Sequence, residues 1–147
     1  MSRSDLTQRI LAEKIRKGLS WDAIARTLGV SKEWAAAACL GQMALTAAQA
    51  HALCGLLNLP REAETLLQIV PYKGSLPTGI PTDPLLYRFY EILSVYGMAI
   101  KEIIHEEFGD GIMSAIDFRM RIAREPDPQG DRVKIEMSGK FLPYRVY

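Results

Sequence analysis

Between residues 71 and 84 the sequence places Pro71, Gly74, Pro77, Gly79, Pro81 and Pro84, a spacing too close for a helix or a central strand. This run divides the chain into two pieces of different character. With 147 residues, neither piece can be a large domain, and the organisation expected is a helical bundle over 1–70, a linker over 71–83 and a second domain over 84–147.

In the first piece the apolar residues recur at helical spacing in short blocks parted by single turn residues, Gly18, Gly29, Gly41 and Pro60. Leu6, Ile10, Leu11 and Ile15 mark a first helix stopped by Gly18. Ser20 caps a second helix that ends at Gly29, and Ser31 caps a third. The stretch from Ser20 to Trp34 resembles the helix-turn-helix of repressor-type DNA-binding domains. A recognition helix should offer Arg, Lys, Asn or Gln to base edges. The helix after Ser31 instead reads Lys32-Glu33-Trp34-Ala35-Ala36-Ala37-Ala38, and residues 1–70 hold eight basic against six acidic side chains. A whole-chain net charge of +1 points the same way, so these helices are assigned to packing and association, with no nucleic-acid partner. Cys39 and Cys54 stand in apolar helical contexts and read as buried thiols. No zinc-ligand spacing is present, and no apolar stretch is long enough to span a bilayer. A start with an acidic residue and no apolar segment predicts a cytoplasmic location and no membrane partner.

In the second piece, Asp83-Pro84 reads as an N-cap with Pro at the first helical position, launching a long helix from Leu85 to about Phe108 with Gly109 as its stop. Residues 112–122 alternate Ile116, Phe118, Met120 and Ile122 with Asp117, Arg119 and Arg121, the pattern of a half-buried strand. Residues 125–131 form a turn, Val133 to Met137 return, Ser138-Gly139 is read as a second turn, and Lys140 to Val146 can add a third strand. The fold class is α+β, mainly α. One helix and two or three short strands bury little surface, so this region needs the other domain or a second copy of the chain, and an oligomer is expected.

Arg88 and Glu91 lie three apart on the long helix, within reach of each other and among Leu86, Phe89, Tyr90, Ile92 and Leu93, which predicts a partly buried pair. A buried Arg wants an anion. His105 near the helix end would interact well with the helix dipole when protonated and is read as a capping residue ahead of a proton-transfer group, and His51 is read as structural. The glycines of Gly109-Asp110-Gly111 are expected to let the backbone pass close to another subunit, and no nucleotide-binding motif is present.

The combination of Ile80-Pro81-Thr82-Asp83-Pro84, Tyr87-Arg88-Phe89-Tyr90-Glu91, His105-Glu106, Phe108-Gly109-Asp110-Gly111-Ile112, Ser114-Ala115-Ile116 and Gly139-Lys140 with Leu142-Pro143 resembles the cyanase family, also called cyanate hydratases or cyanate lyases. The resemblance spans essentially the whole chain and is most specific from Ile80 to Phe118. It implies bicarbonate-dependent decomposition of cyanate to ammonia and carbon dioxide through carbamate, with no metal and no organic cofactor. It implies Arg88, Glu91 and Ser114 as the catalytic residues and Leu142 as a residue lining the substrate pocket. It also implies an intertwined dimer and a homodecamer of five dimers with sites between subunits. Ser75, in the linker, falls where some relatives carry cysteine, so no thiol is needed there.

Physical chemistry makes these roles sensible. Two monoanions ~4 Å apart repel by about 4 kcal/mol at an effective dielectric near 20, and fixed positive charge must offset this. Arg88 supplies it with planar paired donors. Ser114 has no His beside it in sequence, and bicarbonate already provides the nucleophile, so its hydroxyl is assigned to hydrogen-bonding substrate. Glu91 is either an orienting partner of Arg88 or a proton carrier. The alternative to an enzyme is a helix-turn-helix regulator whose C-terminal half dimerises it or senses a small anion.

Overall fold

The computed structural model describes every residue except Ser75 and Pro77, both of which fall in the expected linker. The chain forms two compact units, residues 1–75 and 76–147.

The first unit holds five helices, α1 (Arg3–Arg16), α2 (Trp21–Leu28), α3 (Lys32–Cys39), α4 (Ala47–Leu57) and α5 (Glu62–Gln68). Local chemistry defines their ends. Ser2, Ser20, Ser31 and Thr46 each accept a backbone N–H of the first turn that follows, and Asp5 and Gln49 reach back to complete capping boxes at α1 and α4. Gly29 ends α2 in the left-handed conformation that a side chain would resist. The apolar faces close on one another around Leu6, Ile10, Ile24, Leu53, Leu57 and Leu67, all buried. Ala35 and Ala38 are also fully buried, so the small residues of α3 are there to let helices approach.

Charged groups reinforce this bundle from its edges. The Arg3 guanidinium donates to the carbonyls of Leu66 at 2.5 Å, Met43 at 2.9 Å and Ala38 at 3.4 Å, drawing together the ends of α3 and α5 and the loop between α3 and α4. Lys17 donates to Leu56 O at 2.5 Å, and Lys14 stands 4.8 Å from the Trp21 ring centre. Cys39 and Cys54 are free, buried thiols, as the sequence predicts. Burial pushes each up to about 11; the nearby Arg3 partly opposes this at Cys39, and the Glu64 carboxylate adds to it at Cys54.

The second unit consists of α6 (Pro84–Phe108) and an antiparallel hairpin of β1 (Gly111–Glu125) and β2 (Arg132–Pro143). Asp83 Oδ1 accepts the amides of Leu85 and Leu86 at 2.9 and 3.0 Å, and Pro84 occupies the first turn, the start that the sequence predicts. The sheet differs from expectation in one respect. Ser138-Gly139 is not a turn, and no third strand follows it, because β2 runs straight through both residues. In the register, Phe118 faces Gly139, Met120 faces Met137 and Ile122 faces Ile135, so apolar side chains share one face while Arg119, Arg121 and Glu136 share the other. The one irregularity in this register lies between Met113 and Phe118.

No residue of α6 is buried within the chain. Leu85, Leu93, Val95, Met98 and Ile103 are each more than 60% exposed, although a helix of this apolar content normally hides one face.

Candidate active site

Arg88 and Glu91 are held together by one turn of α6, with Arg88 Nε 3.2 Å from Glu91 Oε2. The Arg88 guanidinium carbon also stands 5.2 Å from the Tyr87 ring centre, and Tyr87 and Tyr90 approach each other with ring centres 5.9 Å apart. The spacing therefore brings the pair together, but the expected partial burial is not found: the two side chains are 59% and 53% exposed. The apolar neighbours Leu86, Phe89 and Ile92 are exposed as well.

Ser114 is in the opposite situation. Among the described residues it is the one polar residue that is buried, 6% exposed, at the start of the register irregularity in β1. Its hydroxyl oxygen accepts the amides of Ile116 at 3.0 Å and Asp117 at 2.9 Å. With both lone pairs engaged, the hydroxyl can act toward a ligand only as a donor, and among the described residues no acceptor takes its proton. Such a group suits an anion. Leu142 pairs with Ile112 in the hairpin two residues before Ser114 and is 42% exposed. No hydrogen bond or ion pair joins Ser114 to Arg88 or Glu91 among the described residues, so the helix pair and the hairpin serine are not brought together by such a contact within one chain.

The base of the hairpin is tied to the end of α6. His105 Nε2 lies 3.3 Å from Gly111 O, and Lys101 Nζ lies 3.1 Å from His105 Nδ1. Phe108 and Phe141 meet with ring centres 5.2 Å apart, and the Tyr144 amide donates to Asp110 O at 3.1 Å. In the Gly-rich turn Gly111 packs closely within its own chain, where a Cβ would collide with Leu142 O and lie 2.5 Å from Phe141 Cζ. His51 is exposed and pairs with Glu64 at 3.0 Å in the first unit. Among the described residues no group of three or more His, Cys, Asp or Glu side chains could hold a metal ion.

Sequence reading took Gly139 for part of a turn, whereas it lies within β2. A glycine inside an alternating strand marks a bulge or a close backbone approach, and that signal was present, though it reads equally as a turn beside Ser138.

A capped five-helix bundle, a long helix bearing an Arg–Glu pair and a bulged hairpin carrying a buried serine together define an α+β protein, mainly α. Two family models cover nearly the whole chain: "Cyanate hydratase, N-terminal" over residues 3–71 and "Cyanate lyase C-terminal domain" over residues 78–146. The chain is 65% identical to a cyanate hydratase of Ralstonia pickettii and 64% identical to one of Cupriavidus necator, in each case over all 147 residues and the full length of both proteins. Among solved structures, a cyanase from T. urticae superposes with a TM-score of 0.83 at 39% identity, covering 94% of this chain and 96% of the other. The chain belongs to the cyanate hydratase (cyanate lyase) family.

Proposed function

We propose that the protein decomposes cyanate in a bicarbonate-dependent reaction, with Arg88, Glu91 and Ser114 as its catalytic residues and Leu142 lining the substrate pocket. The observation that carries this reading is the donor-only hydroxyl of Ser114, in a full-length member of the family whose α6 also bears the Arg88–Glu91 pair.

Bicarbonate oxygen attacks the cyanate carbon, and the resulting dianionic adduct takes up one proton and loses carbon dioxide to leave carbamate. Carbamate takes up a second proton and breaks its C–N bond, giving ammonia and a second carbon dioxide. No electron leaves the system, so no redox cofactor is called for. The obstacle is electrostatic, and Arg88 offsets the repulsion of the two anions through paired donors to carboxylate-like oxygens. Glu91, 3.2 Å from Arg88 Nε, orients that guanidinium. Ser114 donates its hydroxyl proton in a hydrogen bond to one anion and forms no covalent bond.

The site is completed between chains. The uncovered apolar surface of α6 supports association through this region, and symmetry would bring a second Arg88 to match the second anion. The assembly is an intertwined dimer repeated five times as a decamer, with 84–147 as the catalytic and dimerising domain, 71–83 as the linker and the bundle of 1–70 serving association. No helix among the described residues is long and apolar enough to cross a membrane, in keeping with a cytoplasmic enzyme. Nothing favours the helix-turn-helix regulator, since α3 turns Ala35, Ala38 and Cys39 into the core and is otherwise rich in alanine.

The test is ammonia release from cyanate by the purified protein, with and without bicarbonate, beside Arg88→Ala of confirmed assembly size. Turnover that requires both bicarbonate and Arg88 is expected. No ammonia from the correctly assembled wild-type protein would reject the reading.

A further inference from the structure

Ser114 opens a bulge. The register pairs Met113 with Phe141 and then Phe118 with Gly139, so residues 114–117 of β1 stand opposite Lys140 alone. Inside the bulge the chain turns back on the serine, whose hydroxyl oxygen collects the amides of Ile116 and Asp117. The carbonyl of the same residue faces the other strand and rests against Gly139. A Cβ added at Gly139 would overlap Ser114 O, would lie 2.6 Å from Met113 Cγ and 3.3 Å from the Ser114 carbonyl carbon. Gly139 is not among the glycines with positive φ, so its backbone is one that any residue can adopt. What this position requires is the absence of a side chain.

We propose that Gly139 is a positioning residue of the active site, leaving room for the Ser114 carbonyl so that the bulge holds the Ser114 hydroxyl as a one-way donor to the bound anion. The inference rests on the reading of Ser114 given above. Its physical basis is that the hydroxyl and the carbonyl belong to one residue, whose carbonyl is fixed by the neighbouring strand and whose side chain is fixed by two amides. A methyl at residue 139 meets backbone oxygen, which cannot rotate away as the end of a side chain can. The strands must part or the bulge must turn, and either change carries the hydroxyl with it. Misplacement of a donor by about 1 Å is enough to cost up to roughly a hundredfold in rate.

A double-mutant cycle on the assembled enzyme separates this role from simple structural damage. Ser114→Ala is expected to lower kcat/KM by on the order of a hundredfold. Gly139→Ala should lower it by about tenfold or more in the wild-type background. In the Ser114→Ala background the same change should cost less than about twofold, because the group it displaces is already gone. Equal losses in both backgrounds, or full activity of Gly139→Ala, would overturn the proposal. If Gly139→Ala does not assemble, Asp117→Pro takes its place in the cycle, since it removes one amide donor to the hydroxyl at a position outside the strand register. Failure of both variants to assemble also overturns it, for the bulge would then serve the fold and not the hydroxyl. The underlying reading fails differently: wild-type protein without bicarbonate-dependent turnover, or Ser114→Ala with full activity, rejects the catalytic assignment itself.

Discussion

The two halves of this chain solve the problem of burial in opposite ways. Every residue of the hydrophobic core lies between Leu6 and Leu67, where five short helices are capped at most of their starts and close around one another. In the second half α6 has no buried residue, and the hairpin buries only Gly111 and Ser114. One half is finished within a single chain and the other is not. The candidate catalytic groups all sit in the unfinished half. Under the proposed function this difference has a use: assembly closes the surface that each chain leaves open, and the proposed two-anion site gains its second cation at that step.

The largest effect expected from this contrast is at Arg88. With the guanidinium gone, the repulsion of about 4 kcal/mol between the two anions is no longer offset, equivalent to roughly a thousandfold in rate. Arg88→Ala should therefore lose activity on that scale while the bundle keeps its thermal stability, as followed by ammonia release and by circular dichroism on the same sample. Parallel loss of helical signal would tie the two halves together more closely than their burial implies.

Core substitutions sharpen the comparison directly. Leu53 is fully buried, and Leu53→Ala should destabilise the bundle by about 2–5 kcal/mol in urea unfolding, independent of protein concentration. Leu93 is 62% exposed in the chain, so within one chain Leu93→Ala should cost no more than about 0.5 kcal/mol. If α6 is covered by a second copy, that cost grows and the variant's midpoint falls further on dilution. A Leu93→Ala variant with wild-type stability at every concentration would break the claim that this face is closed by assembly.

How much of this was legible in the sequence follows the same division. Ser20, Ser31, Gly29 and the Asp83-Pro84 start announce helix ends because capping is a matter of a few adjacent residues. The Arg88–Glu91 pair is legible because three residues on a helix nearly complete a turn. The exposure of that pair was not, since apolar neighbours in sequence say nothing of what covers them. Ser138-Gly139 was misread as a turn because a strand that must admit a carbonyl from its partner uses the same small residues as a turn does. The Arg3 clamp was likewise invisible, for its acceptors are backbone carbonyls scattered from Ala38 to Leu66.

That clamp yields the next smaller effect. Arg3→Ala removes a charged donor from three carbonyls and should cost about 1.5–3 kcal/mol, less than the core truncation. Arg3→Lys should recover only part of this, because an ammonium on a flexible stem cannot reproduce the planar fork. Full recovery by lysine in thermal melts would show that charge alone, without geometry, joins these helix ends.

A last effect is confined to alkaline solution and again separates the halves, since both cysteines lie in the closed one. Cys39 and Cys54 are each pushed up to about 11 from the usual 9.0 by burial. Below about pH 9 both thiols keep their protons, folded or unfolded, and contribute no slope. Between there and about pH 11 the unfolded chain has already released protons that the folded bundle still holds, so stability must fall as pH rises. Denaturant midpoints of the bundle should therefore decline across this window, and the decline should shrink in Cys39→Ala and Cys54→Ala when each is compared with its own midpoint at pH 7. An undiminished alkaline slope in the double variant would assign it to other groups and would mean that the two thiols meet more water than their burial in the closed half implies.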